Sequence, residues 1–356
     1  MLLCSTSRKM LKTRWILFLV LACWMKIRHV VPSSFSYNAY NYDLTTPLFT
    51  PDGRLLQVEY AYESSRHSPP LLAIPCSEGV VLATVQYFSR RYPHRLRRQQ
   101  QQTRFVELLL GSSCTFNTTV AVVGLSGVIA DNIALLQHAR KYLDSYTRSY
   151  GSHPQHGFFN CYRLARHIAN VIGDACQSHA LGGGLRPYGA SLLVCSVEHG
   201  GMYYSPPKDD SIDETCHPSS VASIAITHPS GAVYSTIVNN GVNQRSYDPN
   251  VFIVGGSSQV QAKLRQRIQH LLNSRTREEN DMLSFKTTVH VAIESLLEEY
   301  DRHRKEQQQH EPPTEENMDA EMEILIMSPK HGTHRLSYQD TQLLISRIRE
   351  QQKESL

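Results

Sequence analysis

Few residues of this chain are placed where side chains could carry out catalysis or bind a metal. Histidine is common, with 17 copies, and His138, His167 and His179 fall on predicted helices. None of these three has an acidic residue three or four positions further on, where it could help to complete a metal site. Ser191 follows Gly189 by two positions but lacks the second glycine of a nucleophile elbow. We therefore predict no metal, no cofactor and no catalytic residue of these kinds.

The composition is that of an ordinary globular protein. Of the 356 residues, 41% are hydrophobic and 19% are charged, and the net charge is +4. This charge is too small to indicate a nucleic-acid partner, and neither an aromatic platform nor a basic helix accompanies the arginine-rich run between residues 90 and 104. The eight cysteines include no Cys-x-x-Cys pair, so we expect free thiols in a reducing compartment.

The elements that would position a functional site are anchored on the stretch from Tyr42 to Ser65. Thr50-Pro51-Asp52-Gly53 predicts a type I turn, because proline fixes φ at the second position and glycine suits the fourth. From Arg54 onward, Leu55, Val58 and Tyr62 recur at helical spacing. A tight turn is thus expected to lead into a short amphipathic helix.

This stretch resembles the N-terminal signature of proteasome α-type subunits. The signature is Tyr-Asp, a short gap, and then Ser/Thr-Pro-Asp-Gly-Arg-Leu-x-Gln-Val-Glu-Tyr-Ala, and the run from Phe49 to Ala61 matches it almost without interruption. A second element of the family, Arg-Pro-Tyr/Phe-Gly-Val/Ala-Ser-Leu-Leu, is similar to the run that begins at Arg186. The residues that match these two motifs are Asp52, Gly53, Arg54, Gln57, Glu59, Arg186, Pro187 and Gly189.

Further along the chain, the order of predicted elements is strands, two helices, strands, two helices, strand and helix. One helix begins near Ala130 with Ile133, Leu136 and Leu143 on its inner face, and another covers about residues 161–180. This order alone indicates one layered α+β domain. The resemblance implies a four-layer αββα sandwich, the fold of N-terminal-nucleophile hydrolases. We expect a single domain over residues 35–356, with insertions at about 85–118, 200–220, 239–249 and 305–319.

Residues 1–34 are expected to lie outside this domain. Four basic residues precede the apolar run 15–25, which has the length of a signal-peptide core and is too short to span a bilayer. Two interpretations stay open. Either the segment directs the protein to the secretory pathway or a complex plastid, or translation begins further downstream, in which case the cytoplasm and nucleus are expected. No membrane partner is expected unless the segment is retained.

The resemblance also separates two classes of subunit. The β-type relatives are threonine peptidases whose nucleophile lies at the start of the first hairpin strand. Here Pro69 and Pro70 occupy that place, and there is no lysine between Gly79 and Thr119 to lower the pKa of a nucleophile. Proline has no hydroxyl group and fixes the backbone. We therefore expect a non-enzymatic, α-type chain.

For an α-type chain, the resemblance implies a seven-membered outer ring with contacts to other α-type subunits, to β-type ring subunits and to regulatory activator particles. The gate cluster of the family matches Tyr42, Asp43, Pro51 and Tyr60. Leu44 stands where the family commonly has arginine, so a salt bridge of the tail is expected to be absent. In the family, a lysine in the pocket between α-type subunits commonly pairs with the C-terminal carboxylate of an activator tail. No lysine occurs in residues 80–118, so the pocket of this chain is expected to bind activator tails weakly. The alternatives are a β-type threonine peptidase and a subunit-like protein that acts outside the proteasome.

Overall fold

The structure, a computed structural model, describes ten segments of the chain. They are residues 48–76, 79–88, 103–109, 119–150, 161–197, 220–240, 251–279, 284–310, 319–328 and 332–354. The chain divides into two units, Met1–Thr45 and Thr46–Leu356, and all described residues belong to the second. Tyr42, Asp43 and the apolar run 15–25 therefore lie outside the described residues, as do the predicted signal and cleavage segments.

Two five-stranded sheets form the centre of the second unit. The first sheet has the strand order β10-β9-β2-β1-β8, and the second has the order β3-β4-β5-β6-β7, with antiparallel pairing throughout. The strands are β1 (Leu71–Cys76), β2 (Gly79–Phe88), β3 (Phe105–Leu109), β4 (Thr119–Gly127), β5 (Ala190–Val197), β6 (Ser220–Thr227), β7 (Val233–Asn240), β8 (Phe252–Val254), β9 (Asp319–Ser328) and β10 (Gly332–Arg335).

The central strands read as apolar runs because both of their faces are covered. All six residues of β1 are buried, and all eight of β5 are buried as well. Pro75 lies opposite Val80 of β2, beyond the three residues of β1 that pair with β8, so its missing N–H does not interrupt the β1–β8 ladder. A continuous apolar run of this length is typical of a strand with layers on both sides.

Six helices accompany the sheets in the described part of the chain. They are α1 (Leu56–Arg66), α2 (Ile129–Tyr150), α3 (Cys161–Ser178), α4 (Ser258–Glu279), α5 (Phe285–His310) and α6 (Tyr338–Glu354). A single π-helical turn, His179–Gly183, follows α3 directly.

The buried apolar side chains form three clusters that define four layers. One cluster lies between the first sheet and α4, α5 and α6. Another lies between the second sheet and the pair α2 and α3. The third lies between the two sheets, with Leu71, Phe105 and Leu193 among its members. The order helix, sheet, sheet, helix confirms the predicted αββα sandwich.

The element bounds differ from the sequence prediction at several places. Helix α5 continues to His310, so the segment expected as a linker from residue 305 begins as helix. Strand β2 extends into the start of the expected insertion 85–118 and β3 lies within it, while β7 extends to Asn240, inside the expected insertion 239–249. Strand β10 was not predicted, because its four residues, Gly-Thr-His-Arg, show no hydrophobic alternation.

One predicted core residue of α2 is exposed. Leu136 and Leu143 are buried as expected, but Ile133 is 47% exposed. The buried stripe of this helix is centred on Leu135, Leu136 and Ala139, and Ile133 lies to one side of it at helical spacing.

Among the described residues, no helix is both long enough and apolar enough to span a bilayer.

Candidate functional site

The predicted turn before α1 is present. The N–H of Gly53 donates to the carbonyl of Thr50 at 2.8 Å, and Gly53 has a φ of +76°, which glycine adopts without steric cost. The N–H of Thr50 donates to the carbonyl of Arg54 at 2.9 Å, and the N–H of Arg54 returns a hydrogen bond to the Thr50 hydroxyl at 3.0 Å. These bonds hold Pro51 and Asp52 on an exposed tip.

A surface ion pair joins this turn to the first turn of α1. The Nε of Arg54 donates to Oε1 of Glu59 at 2.9 Å, and Nη2 of Arg54 contacts the other carboxylate oxygen. Hydrogen bonding to Arg54 lowers the pKa of Glu59 and raises the pKa of Arg54. Both side chains are exposed, so the pair fixes orientation more than it adds stability.

Apolar side chains near this turn are exposed. Leu48, Phe49 and Tyr60 are 44%, 61% and 52% exposed. Pro51 and Tyr60 are the two members of the predicted gate cluster that lie in the described residues, and both are exposed. Gln57 is half-buried.

Hydroxyl groups attach the C-terminal end of α1 to the second sheet. Ser68 Oγ lies 2.5 Å from Ser126 Oγ, Ser126 donates to the carbonyl of Ser65 at 3.1 Å, and Ser191 donates to Ser65 Oγ at 3.0 Å. Ser126 is the penultimate residue of β4 and Ser191 is the second residue of β5. We call Ser65, Ser68, Ser126 and Ser191 the serine cluster.

The serine cluster has the hydrogen-bond partners of a structural contact between α1 and the second sheet. Its hydrogen-bond partners among the described residues are its own hydroxyls and the backbone carbonyls of Tyr62 and Ser65. A nucleophilic serine needs a base within hydrogen-bond reach, and these partners are not bases. Two residues after Ser68, the carbonyl of Pro70 accepts a hydrogen bond from Thr84 Oγ1 at 2.9 Å, which ties the start of β1 to β2.

The second motif, which begins at Arg186, lies at the same end of the second sheet as the serine cluster. Arg186 donates from Nη1 to Oδ2 of Asp131 at 2.7 Å and from Nη2 to Oδ1 at 2.9 Å. Asp131 also accepts the N–H of Gly189 at 2.8 Å. Hydrogen bonding to Asp131 raises the pKa of Arg186. The motif thereby connects the first turn of α2 to the start of β5.

Gly189 permits a close approach between this motif and α1. A Cβ atom at Gly189 would lie 3.2 Å from Ser64 Oγ and 3.3 Å from Val128 Cγ2, which is tighter than most real contacts. Pro187 is buried beside it. The two sequence motifs, more than 120 residues apart in the chain, therefore meet through Ser64 and Gly189.

Sequence reasoning did not find the serine cluster or the pairing of Asp131 with Arg186. The sequence places Asp131 only in the first turn of a helix, and it offers Ser191 only as a candidate nucleophile. The serines of the cluster contribute nothing to a hydrophobic period in the sequence. Their proximity could be inferred only if β4 and β5 were known to be neighbouring strands.

Two antiparallel sheets packed face to face and covered by helices on both outer sides make up the fold of N-terminal-nucleophile hydrolases. Residues 42–63 match the family model that describes the N-terminal signature of proteasome α-type subunits. The chain is 34% identical over 162 residues to the alpha 2 proteasome subunit of Haloferax volcanii, covering 45% of this chain and 55% of that protein.

Eukaryotic proteins match at a similar level. The probable alpha type-3 proteasome subunit of Schizosaccharomyces pombe is 31% identical over 159 residues, which is 45% of this chain and 56% of that protein. The alpha type-3 proteasome subunit of Saccharomyces cerevisiae is 31% identical over 157 residues, or 44% and 53%. The chain spans about half the length of the curated relatives it matches. Over this part of its length the chain is similar to proteasome α-type subunits.

Proposed function

We propose that this chain is a non-catalytic structural subunit of the outer, α-type ring of a proteasome core particle, acting in protein degradation. The observation that carries the proposal is the seating of α1, where Ser65 and Ser68 bond to Ser126 and Ser191 over the ends of β4 and β5. The signature helix is thus attached over the end of β4 and the start of β5. The relatives that support the proposal are themselves named as proteasome alpha subunits.

The lack of catalysis is part of the proposal. Pro69 and Pro70 precede β1, where the nucleophile of a β-type relative would lie, and neither can act as an N-terminal hydroxyl nucleophile. Isolating the chain and treating it with a threonine-directed covalent peptide probe tests this. We expect no labelling. A labelled peptide from this chain, with a mature N-terminus at a threonine, would instead identify a β-type peptidase.

We propose that Tyr42, Asp43, Pro51 and Tyr60 form a gate contact between neighbouring subunits. Two phenols and a carboxylate can exchange hydrogen bonds across an interface, and a proline ring restricts which arrangement fits. The exposed positions of Pro51 and Tyr60 support this, because a partner can reach them. Asp52, Gly53, Arg54, Gln57 and Glu59 would set the direction in which the turn presents these two side chains.

We also propose that the pocket of this subunit binds activator tails weakly. Arg104 is the cation present in the described part of residues 80–118, and it is largely committed to its own chain. Its side chain lies 3.4 Å from the carbonyl of Leu125, and burial lowers its pKa while the nearby Glu323 opposes that effect. Cross-linking of an activator C-terminal peptide to assembled particles tests this. Labelling of this chain as efficient as that of its neighbours would contradict weak binding.

The partners proposed are other α-type subunits, β-type ring subunits and regulatory particles, and the location proposed is the cytoplasm and nucleus. We further propose that residues 35–356 act as one domain and that residues 1–34 contribute nothing to the ring. Sequencing the mature N-terminus of the purified protein tests the last point. A start near Met25 would agree with a cytoplasmic chain, and a start after Ser34 would indicate a processed leader.

A further inference from the structure

The helix α1 is held against the second sheet by a ring contact as well as by the serine cluster. The ring centroids of Tyr62 and His228 are 4.4 Å apart, with an angle of 43° between the planes. His228 begins the turn His228-Pro229-Ser230-Gly231, which joins β6 to β7. The residue is half-buried. One titratable side chain thus lies directly between the signature helix and the β6–β7 hairpin.

One hydrogen bond of His228 requires an unprotonated Nδ1. The N–H of Ser230 donates to Nδ1 of His228 at 3.2 Å, and the hydroxyl of Ser230 lies 2.8 Å from the same nitrogen. A protonated Nδ1 carries a hydrogen and cannot accept from the N–H, although it can donate to the hydroxyl. The backbone bonds from Gly231 N–H to the His228 carbonyl, at 2.8 Å, and from His228 N–H to the Ala232 carbonyl, at 2.9 Å, do not involve the ring. Protonation at Nδ1 would therefore weaken the turn on which Tyr62 rests.

The surroundings of His228 also oppose a positive charge. Burial lowers the pKa of His228. A cation can be stabilised over an aromatic face, but Arg66 already lies 5.7 Å from the centroid of the Tyr62 ring. The charge of Arg66 is balanced by Glu63 at 2.7 Å, and Arg66 also donates to Ser258 at 2.9 Å. The ion pair beside Tyr62 therefore offers His228 no net negative charge.

The third element packed against this turn offers no compensating carboxylate at short range among the described residues. A Cβ atom at Gly231 would lie 2.5 Å from the Cβ of Gln177 and 2.8 Å from the carbonyl oxygen of Gly173, so α3 faces the turn with a neutral side chain and backbone. Asp174 follows Gly173 but is exposed. The groups that face His228 from the three elements are therefore Tyr62 with Arg66 and Glu63, the neutral Gln177, and Ser230.

We propose that His228 makes the docking of α1 sensitive to pH, so that protonation of His228 loosens the signature helix from the second sheet. The folded state, with α1 docked, binds a proton at His228 less well than the unfolded or undocked state does. At a pH between the pKa values of His228 in these two states, the unfolded or undocked state therefore holds more protons. The stabilisation is present above the ordinary pKa of histidine, about 6.5, and declines as the pH falls below it. A lowered pH thus favours release of α1.

Hydrogen exchange of the full chain, resolved by peptide, tests this proposal. We expect the protection of the 56–66 amides, corrected for intrinsic rates, to fall between pH 7.5 and pH 5.5. A single proton limits the effect to about tenfold in the opening equilibrium per pH unit. Amides of α2, residues 129–150, should keep their protection. An equal loss in both helices would mean general destabilisation and would overturn the proposal.

Two substitutions of His228 assign the effect. His228→Asn keeps an acceptor for Ser230 and removes the titration, so protection of α1 should become independent of pH in this range. His228→Asp also keeps an acceptor for Ser230, in the form of a carboxylate, and removes the histidine titration. It replaces His228→Asn in the experiment if that variant folds poorly. A pH-dependent loss that persists in a folded variant would overturn the proposal, as would unchanged protection in the parent chain.

His67 provides the matched control. It lies at the C-cap of α1 and is exposed, so it is a histidine of the same segment that does not belong to the β6–β7 turn. His67→Asn should retain the loss of protection at low pH. If His67→Asn abolished that loss, His228 would not be the responsible group.

Discussion

Arg186 forms a two-point ion pair with Asp131, with N–O distances of 2.7 and 2.9 Å between residues that are 55 positions apart. The carboxylate side chain is 8% exposed while that of Arg186 is 54% exposed. One partner can therefore return to water when the pair is broken and the other cannot. Because of this difference, substituting Asp131 and Arg186 separately tests how the second motif is attached to α2.

Arg186→Ala should destabilise the fold more than Asp131→Ala does. Removing Arg186 leaves the buried carboxylate of Asp131 without its counter-ion, and we expect a loss of about 3 kcal/mol in the free energy of unfolding. Removing the carboxylate lets Arg186 return to water and leaves the N–H of Gly189 without its acceptor, which should cost about 1–2 kcal/mol. Urea unfolding measures both. Asp144→Ala, at an exposed position of the same helix, is the control, and equal costs for Asp131 and Arg186 would contradict this account.

Gly173 should tolerate no side chain, although it lies inside a helix. Alanine in a helix is ordinarily better than glycine by about 0.5–1 kcal/mol. At Gly173, however, a Cβ atom would lie 2.8 Å from both the carbonyl oxygen of Gly231 and Cγ2 of Val233. We expect Gly173→Ala to reduce the free energy of unfolding by about 1–3 kcal/mol.

The control for Gly173 is its exposed neighbour on the same helix, Asn170. Asn170→Ala should be neutral or slightly stabilising, because only helix propensity changes. A stabilising effect of Gly173→Ala, measured in the same denaturant series, would mean that α3 and the β6–β7 turn are not in close contact.

Two buried cysteines, Cys176 on the inner face of α3 and Cys195 between the two sheets, should resist alkylation in the native protein. Burial raises the pKa of Cys176 to about 12, so at pH 8 only about one thiol in ten thousand is ionised, and the thiolate is the reactive form. Burial raises the pKa of Cys195 as well. Iodoacetamide at pH 8 followed by peptide mass spectrometry should leave both unmodified until denaturant is added. Rapid labelling of Cys176 in the folded chain would contradict its burial between α3 and the second sheet.

The strands and helices could be predicted from particular residues, whereas the four layers were implied by the family resemblance. Leu71 to Cys76 is an apolar run typical of a strand, and Leu136 and Leu143 mark the inner face of α2. The missed features are those without a period. Nothing in the sequence distinguishes Ser65 and Ser191 from other serines, because they come together only when α1 packs against β4 and β5. Strand β10 is too short and too polar to be recognised from its sequence.

The turn and helix of the signature could be predicted from their own residues, but the seating of the helix could not. Proline and glycine punctuate the turn locally, whereas the partners of Ser65 and Ser68 come from positions 126 and 191. Long-range hydroxyl pairs depend on strand register, which a single sequence does not specify. The gate cluster stays a prediction, because Tyr42 and Asp43 lie outside the described residues.

An exposed tyrosine on the signature helix should matter for assembly and not for folding. Tyr60 is 52% exposed and Tyr338, on α6, is 59% exposed. We expect Tyr60→Ala to leave the unfolding transition within about 0.5 kcal/mol of the parent chain, and to reduce incorporation of the chain into large particles several-fold. Tyr338→Ala is the matched control for loss of an exposed ring. Equal incorporation of the two variants would contradict a contact between subunits at Tyr60.

The most direct test of the structural role in a ring is the size of the particle that contains the endogenous chain. Native sedimentation of a lysate, followed by mass spectrometry of each fraction, shows where the chain migrates and what accompanies it. The account predicts a particle of several hundred kilodaltons that also contains other α-type and β-type proteasome subunits. Migration of the chain as a 40.4 kDa monomer, separate from those subunits, would contradict it.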